Sequence, residues 1–126
     1  MIPKKKKLIK LSKLKKKAEV VCHRYIVIRD KGICFTCGKP GDQAGHFCHN
    51  RLDFYLMNLH CQCVACNHFR SGNLGVYAVN LDKKYGLGTA EALIARSHTQ
   101  SNKFSREELE GIIEQYKPED NFLKER

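Results

Sequence analysis

Two pairs of cysteines enclose a histidine, and this pattern is the feature of the chain most able to do chemistry. Cys34 and Cys37 form the first C-x-x-C pair, Cys63 and Cys66 form the second, and His46 lies between them. Each pair places two sulfurs on one tight turn, so the two pairs together can hold one tetrahedral zinc ion. An ion closed on four thiolates has no open position. We therefore expect it to hold structure while neighbouring polar side chains do any chemistry.

The other three cysteines are expected to stay off the metal. Cys61 is the main alternative as the fourth ligand, but Cys63 has the regular two-residue gap to Cys66. Cys22 and Cys48 are expected to be buried small apolar residues or free thiols. Seven cysteines, no signal peptide and no apolar run long enough for a bilayer argue against a secreted disulfide framework. The expected location is a reducing cytoplasm.

The positive charge of the chain is confined to its N-terminal quarter. The net charge is +10. Residues 1–31 contain 12 Lys or Arg and two acids, whereas residues 32–126 contain 11 of each sign. Such a segment suits a polyanion, so DNA is the expected partner and a membrane is not. Two alternatives stay open: a basic amphipathic helix on an anionic membrane surface, or lysines that only form a solvated face. The candidate DNA-binding residues are Lys10, Lys13, Lys15, Lys16, Lys17, Arg51 and Arg70.

The elements that must position these residues can be predicted from apolar spacing. Apolar residues recur at steps of three or four from Leu8 to Ile28, which predicts a helix that ends before Gly32. Residues 32–72 are expected to form loops and short extended pieces, with a short helix from the second cysteine pair to Gly72. Their expected small core is Phe47, Phe54, Tyr55, Leu56, Leu59 and Val64.

Three further helices are predicted in residues 73–126. Asn73 and Thr89 are expected to cap the first two, and Ser105 with Glu108 forms a capping box for the third, which Pro118 ends. A chain of 126 residues is expected to form one domain, which a bound metal would help to stabilise. The parts are a basic N-terminal arm or helix (1–31), a cysteine-rich core (32–72) and a C-terminal helical section (73–126).

Three strings of residues resemble the HNH (ββα-metal) endonucleases, and within them the phage lambda Rap/NinG recombination nuclease family. The strings are Gly-Asp-Gln-Ala-Gly-His-Phe (41–47), Asn-Leu-His-x-Gln-Cys-x-x-Cys-Asn (58–67) and Ser-Gly-Asn (71–73). The resemblance covers about residues 20–97. It implies an α+β fold with a zinc-stapled HNH core of ββα-metal type, a basic N-terminal helix and a C-terminal helical section. It also implies a structure-selective endonuclease that cleaves branched DNA, such as Holliday junctions and D-loops, in phage recombination.

The resemblance assigns roles to three polar residues. His46 matches the general base, Asn58 the residue that orients the loop of the base, and Asn67 a ligand of the catalytic ion. The chemistry is consistent, because phosphodiester hydrolysis needs a base that titrates near neutral pH and a cation that offsets charge on the phosphate. An amide oxygen ligand favours Mg²⁺ or Mn²⁺ over a second zinc ion. His46 could instead be a surface histidine of a zinc finger.

One departure from the family pattern concerns the metal ligands. Many HNH enzymes carry Asp or His just before the base, where this chain has Gly45. Asp42 or His68 is then expected to complete the catalytic ion site. Of the other histidines, His23 and His98 are expected at the surface, and His49 and His60 as structural residues or phosphate contacts. A homodimer would present two active sites to a four-way junction.

A non-catalytic zinc module that binds nucleic acid is the main alternative function. Both the binding module and the endonuclease would use the cysteines and the basic helix. They differ in the role of His46, which is catalytic only in the endonuclease.

Overall fold

The computed structural model of the chain describes residues 8–117 and shows an α+β arrangement in which helices surround a small antiparallel hairpin. The basic run at residues 4–7, Pro118 and the acidic tail lie outside the described residues. The helices are α1 (Leu11–Arg29), α2 (Leu74–Tyr85), α3 (Thr89–Thr99) and α4 (Arg106–Tyr116). The strands are β1 (Gln43–His46) and β2 (Leu59–Gln62). A 3-10 turn (Leu56–Asn58) precedes β2, and a π-helical turn (Ala65–Phe69) follows it.

The stripe of apolar residues predicted along the first helix is buried in its middle part, whereas Leu8 and Leu11 at its start are exposed. Leu14, Ala18, Cys22 and Ile26 recur every four residues and are at most 4% exposed. The helix ends at Arg29, because the backbone turns left-handed at Lys31 (φ 57°). The amide of Gly32 then donates to the carbonyl of Val27 (2.9 Å), which closes the last turn.

Helix α1 packs into the core through its apolar stripe, as the stripe predicts. Its first half packs Leu14 and Ala18 against Leu109 of α4. Its second half packs Cys22 and Ile26 against Leu59 of β2. The apolar stripe is therefore covered on two sides, which leaves the lysines of the opposite face in solvent.

The hairpin has two faces with different neighbours. Strands β1 and β2 pair antiparallel with Gly45 opposite His60 and His46 opposite Leu59. Because side chains alternate along a strand, residues 43, 45, 60 and 62 share one face and residues 44, 46, 59 and 61 share the other. Ala44 packs with Leu59 against α1, so the second face is directed at that helix.

The other face of the hairpin is joined to α2 through Tyr77. This side chain is fully buried, and its hydroxyl donates to the carbonyl of Gly45 (2.8 Å). Around it lies a second apolar cluster that includes Phe47, Leu81 and Leu93. The predicted small core is largely present; Val64 is the exception, since it is 41% exposed at the start of the π-helical turn.

The three C-terminal helices occur where the sequence predicts them, with one of the three caps as expected. Ser105 and Glu108 form a complete capping box. Asn73 precedes α2 in a left-handed conformation (φ 50°) and makes no side-chain cap. Thr89 is the first residue of α3 rather than its cap, and the amide of Ala90 is bound by the Asp82 carboxylate instead (3.0 Å). Within residues 8–117, none of the helices combines the length and the apolarity that crossing a bilayer requires.

Candidate metal centre and adjoining polar site

The four cysteines of the two C-x-x-C pairs converge on one point. Their Sγ atoms all lie within 4.8 Å of one another, and those of Cys37 and Cys63 are 3.6 Å apart. Such a set of sulfurs could hold a structural metal ion such as zinc. Cys61 lies outside the cluster, on the hairpin face that is directed at α1, where its amide donates to Asp30 (2.8 Å).

Close backbone contacts bring the two cysteine turns together. The first turn is closed by hydrogen bonds from Cys34 N to Lys39 O (2.7 Å) and from Gly38 N to Cys34 O (2.9 Å). Gly41 then approaches the second turn so closely that a Cβ at this position would lie 2.7 Å from the carbonyl carbon of Gln62. A larger residue at position 41 would therefore push the two pairs apart.

The thiols of the cluster differ in how readily they lose their protons. Burial alone would raise the pKa of Cys34, but hydrogen bonds from Thr36 and from nearby amides lower it to about 6. The pKa of Cys66 is also lowered, since donation from Thr36 and Asn73 outweighs its desolvation. An amide at Lys39 favours the Cys37 thiolate, yet hydrogen bonds with the neighbouring thiols raise its pKa to about 12. A divalent ion bound by the four sulfurs would displace these protons, including the firmly held proton of Cys37.

Gln62 links the two cysteine turns, a role that was not predicted for it. Its side chain is fully buried, and its Nε2 donates to Thr36 Oγ1 (3.1 Å) and to the carbonyl of Gly72 (2.8 Å). Thr36 Oγ1 in turn lies 3.3 Å from Cys34 Sγ. The position of a polar residue directly before Cys63 is the feature of the sequence that is related to this role. That position does not reveal which residues the amide contacts.

The space beside Gly45 is already filled by other side chains. A Cβ at this position would lie 1.8 Å from Gln62 Oε1 and 3.1 Å from Asn67 Oδ1. A side chain at position 45, where many HNH enzymes carry a metal ligand, would therefore require the buried Gln62 side chain to move. The glycine at this position thus has a packing reason.

His46 lies among charged and titratable groups on the face of the hairpin directed at α1. Its ring meets that of His23 edge-on, with centroids 5.6 Å apart, and its Nε2 lies 3.9 Å from Asp53 Oδ1. Asp53 also forms an ion pair with Lys15 (2.9 Å) and accepts a hydrogen bond from Asn102 (3.0 Å). Burial lowers the pKa of His46, His23 lowers it further, and Asp53 opposes both. The ring is therefore neutral near pH 7 and able to accept a proton.

Asn58 holds the loop that follows His46. Its side chain is fully buried, and its Oδ1 accepts from the amide of Cys48 (2.7 Å). Its Nδ2 lies within hydrogen-bond distance of the carbonyls of Cys48 (3.2 Å), Arg51 (3.2 Å) and Leu52 (3.4 Å). One side chain thus ties residues 48–52 to the start of β2.

Two of the predicted ion ligands meet in a groove between α1 and the open edge of β1. The groove has a volume of about 620 Å³, and Asp42 and Asn67 contribute to one wall while His23 and Arg24 contribute to the other. Asn67 is oriented by a hydrogen bond from its Nδ2 to Gln43 Oε1 (2.9 Å). His68, the other predicted ligand, is exposed on the π-helical turn.

His46 does not line the groove that Asp42 and Asn67 line. Asn67 contacts Gln43, lies beside Gly45 and lines the groove together with residues of α1. His46 is directed at α1, where it contacts His23. His23, which contributes to the groove, is therefore the link between the groove and His46.

The remaining histidines differ in their surroundings. His60 is fully buried between the hydroxyls of Tyr77 (3.1 Å) and Tyr85 (2.8 Å), and burial lowers its pKa to about 3. Such a ring is a satisfied structural histidine. His49 and His98 are exposed. The expectation of a surface position is wrong for His23, whose Nε2 is buried.

Most of the predicted DNA-binding residues are exposed. Lys10, Lys13, Lys16 and Lys17 lie in solvent at or along α1, as do Arg51 and Arg70 in the cysteine-rich region. Lys15 differs, because its ammonium forms the ion pair with Asp53 described above.

Comparisons with known proteins agree on one family. The family model described as "Bacteriophage Lambda NinG protein" matches residues 2–125. Proteins named ninG from Salmonella phage P22 and Escherichia phage lambda are each 30% identical over 109 residues, which is 80% of this chain and 53% and 52% of theirs. The chain belongs to the NinG family, and it spans about half the length of these curated relatives. No solved structure matches.

Proposed function

We propose that the chain is a metal-dependent, structure-selective DNA endonuclease that cleaves branched DNA, such as Holliday junctions and D-loops, in phage recombination. The observation that carries the proposal is the position of His46. It lies on a strand next to a four-cysteine cluster, and its following loop is tied down by Asn58. A proton acceptor in a small, rigid frame suits hydrolysis of a phosphodiester.

In this proposal, His46 accepts a proton from the attacking water. The water oxygen forms a bond to phosphorus, and the bond from phosphorus to the leaving sugar oxygen breaks. Asn58 keeps the loop of the base in place. Asp42 and Asn67 would hold Mg²⁺ or Mn²⁺ in the groove, where the ion would offset charge on the phosphate and the leaving oxygen. The cysteine-bound zinc would have only a structural role.

The basic surface of α1 supplies the proposed contact with DNA. Four exposed lysines lie just before α1 or along its first half, and Arg51 and Arg70 are further candidates for phosphate contacts. A homodimer would bring two sites to a four-way junction. The proposed place of action is the host cytoplasm, where thiols stay reduced.

A second candidate function is a non-catalytic zinc-dependent module that binds nucleic acid. Its support is that Asn67 lines the groove whereas His46 does not, and that Gly45 has no side chain to bind a metal ion. Both functions share the cysteine cluster and the basic helix.

The experiment that separates these two functions uses zinc-loaded protein with a labelled Holliday junction and a linear duplex of the same sequence. We expect cleavage of the junction that requires added Mg²⁺ or Mn²⁺ and exceeds cleavage of the duplex. Tight binding with no cleavage of branched, duplex or single-stranded DNA would assign the chain to the binding module.

A further inference from the structure

Asp53 is a charged residue beside His46 to which the sequence assigned no role. Its carboxylate is held from two sides, by an ion pair with the ammonium of Lys15 (2.9 Å) and by a hydrogen bond from Nδ2 of Asn102 (3.0 Å). The amide of Asp53 also donates to Oδ1 of Asn102 (3.2 Å). Only 14% of the Asp53 side chain is exposed. Partners of this kind fix the position of a carboxylate.

The fixed carboxylate is directed at His46. Lys15 and Asn102 both bind its Oδ2, while its Oδ1 lies 3.9 Å from His46 Nε2. This distance is too long for a hydrogen bond, but it is short enough for opposite charges to attract in a partly buried site. A carboxylate at this distance stabilises an imidazolium more than a neutral imidazole. It therefore favours the form of His46 that exists after proton transfer.

The other influences on the His46 ring act against protonation. Burial lowers the pKa of His46, and the imidazoles of His23 on α1 and His49 on the following loop lower it further. The carboxylate and the backbone of Asp53 raise it. Glu19, also on α1, acts on the neighbouring ring of His23. Asp53 thus opposes the combined effect of burial and of the two imidazoles.

We propose that Asp53 is the positioning residue of His46: its carboxylate, fixed by Lys15 and Asn102, stabilises the imidazolium that forms when His46 accepts a proton from the attacking water. The carboxylate takes no proton itself, so the proton stays on the ring. Lys15 attracts the same carboxylate and weakens its effect on the ring. This inference rests on the proposed nuclease and adds a residue that supports its base.

The first measurement follows the ring signals of His46 by NMR while the pH of zinc-loaded protein is changed. The signals are assigned from their loss in His46→Gln. Asp53→Asn keeps the size of the side chain and removes its charge, so the pKa of His46 is expected to fall. Lys15→Gln removes the charge that opposes Asp53, so the pKa of His46 is expected to rise.

The matched control is Glu91→Gln, which neutralises an exposed carboxylate on α3 and should leave the pKa of His46 unchanged. The melting temperature is recorded for each variant. Zinc content is measured at each pH, and only points at which the protein keeps its zinc are used.

The second measurement is the single-turnover rate of Mg²⁺-dependent cleavage of a Holliday junction at saturating protein, as a function of pH. Asp53→Asn is expected to move the midpoint of the profile to lower pH and to lower the plateau rate about tenfold or more, because a weaker base accepts a proton more slowly. Lys15→Gln is expected to move the midpoint to higher pH. A lower rate of Asp53→Asn with an unmoved midpoint would indicate a merely structural residue and would overturn the inference.

The outcomes separate the inference from the function on which it rests. Cleavage by the unmodified protein, with an unchanged pKa of His46 in both variants, would overturn the role of Asp53 and leave the nuclease in place. Opposite shifts of that pKa without any cleavage would support the pairing of Asp53 with His46 and contradict the nuclease. If Asp53→Asn does not fold, Lys15→Gln decides: a raised pKa of His46 supports the inference, and an unchanged one overturns it.

Discussion

His46 and His60 both lie on the hairpin, and their different surroundings suit them to different roles. His60 has a hydroxyl at each ring nitrogen, so neither nitrogen is available to a substrate. The side chain of His46 is 24% exposed and lies beside a carboxylate and a second imidazole. Partial exposure leaves the ring accessible, and its lowered pKa keeps it in the neutral form that accepts a proton near pH 7.

The pH dependence of cleavage follows from the surroundings of His46. The neutral ring is the form that accepts a proton, so the rate should rise with pH and then level off. Because burial and His23 lower the pKa of His46, the midpoint should lie below the ordinary imidazole value of about 6.5. Single-turnover rates at saturating protein and Mg²⁺ would measure this. A rate that does not change between pH 5 and about 8 would count against His46 as the base.

At the scale of elements, spacing predicts the helices and misses the contacts made by single polar side chains. The capping box at Ser105 is a local pattern and is present as predicted, and the apolar stripe predicted from Leu8 to Ile28 lies on a helix that is buried from Leu14 to Ile26. The role of Gln62 was not predicted, because it depends on Thr36 and Gly72, which come close only once the chain folds. Contacts between residues that are distant in the chain cannot be predicted from local sequence patterns.

The close packing beside Gly45 predicts that even a methyl group is not tolerated there. Gly45→Ala should displace the Gln62 side chain that links the cysteine turns, and it should lower the free energy of unfolding by about 1–3 kcal/mol. Thermal melts and zinc affinity would measure both effects.

Gly111 provides the matched control for this substitution. It lies within α4, and a Cβ there would have nothing within 4 Å among the described residues. Gly111→Ala should therefore raise the free energy of unfolding by about 0.5–1 kcal/mol, because alanine favours a helix. Equal effects of the two substitutions would contradict the packing described for Gly45.

The basic surface of α1 should be tested by neutralising charge rather than by deleting residues, since Leu14 belongs to the core. Changing Lys10, Lys13, Lys16 and Lys17 to Gln should weaken DNA binding. If each of these lysines meets a phosphate, it should also reduce the slope of log affinity against log salt by about 3–4. Anisotropy titrations at several salt concentrations would measure the slope.

The control removes the same charge elsewhere on the surface, at the exposed residues Lys39, Lys83, Lys103 and Lys117. Its salt slope should change much less. Equal loss of slope in both variants would mean that α1 is not the DNA surface and that its lysines act only through net charge.

At the scale of the whole molecule, the cysteine cluster joins the turn after α1 to the end of β2, two elements that also pack on each other. Helix α4 packs on α1, and α3 packs on α2. The cluster could be predicted because its ligands have a fixed spacing. The docking of α1 and the position of His46 outside the groove could not, because both depend on which hairpin face is directed at which helix.

Loss of the metal should therefore unfold the chain. A structural zinc ion contributes about 10–16 kcal/mol of apparent binding free energy, which is comparable to or larger than the whole stability of a typical domain. Cys63→Ser should lose zinc and its cooperative melt, whereas Cys48→Ser, outside the cluster, should keep both. Metal analysis would measure the zinc content of each variant, and circular dichroism would measure its melt. A normal melt of Cys63→Ser with one zinc ion bound would contradict a structural role for the metal.

The most direct measurement is the Mg²⁺-dependent cleavage rate of a Holliday junction by His46→Ala, compared with the unmodified protein at equal zinc content and saturating protein. The proposed mechanism predicts that the variant binds the junction and keeps its melt, while its cleavage falls by a factor of about 10² or more. Undiminished cleavage by the variant would show that His46 is not the base. Absence of cleavage by the unmodified protein would show that the chain is not a nuclease.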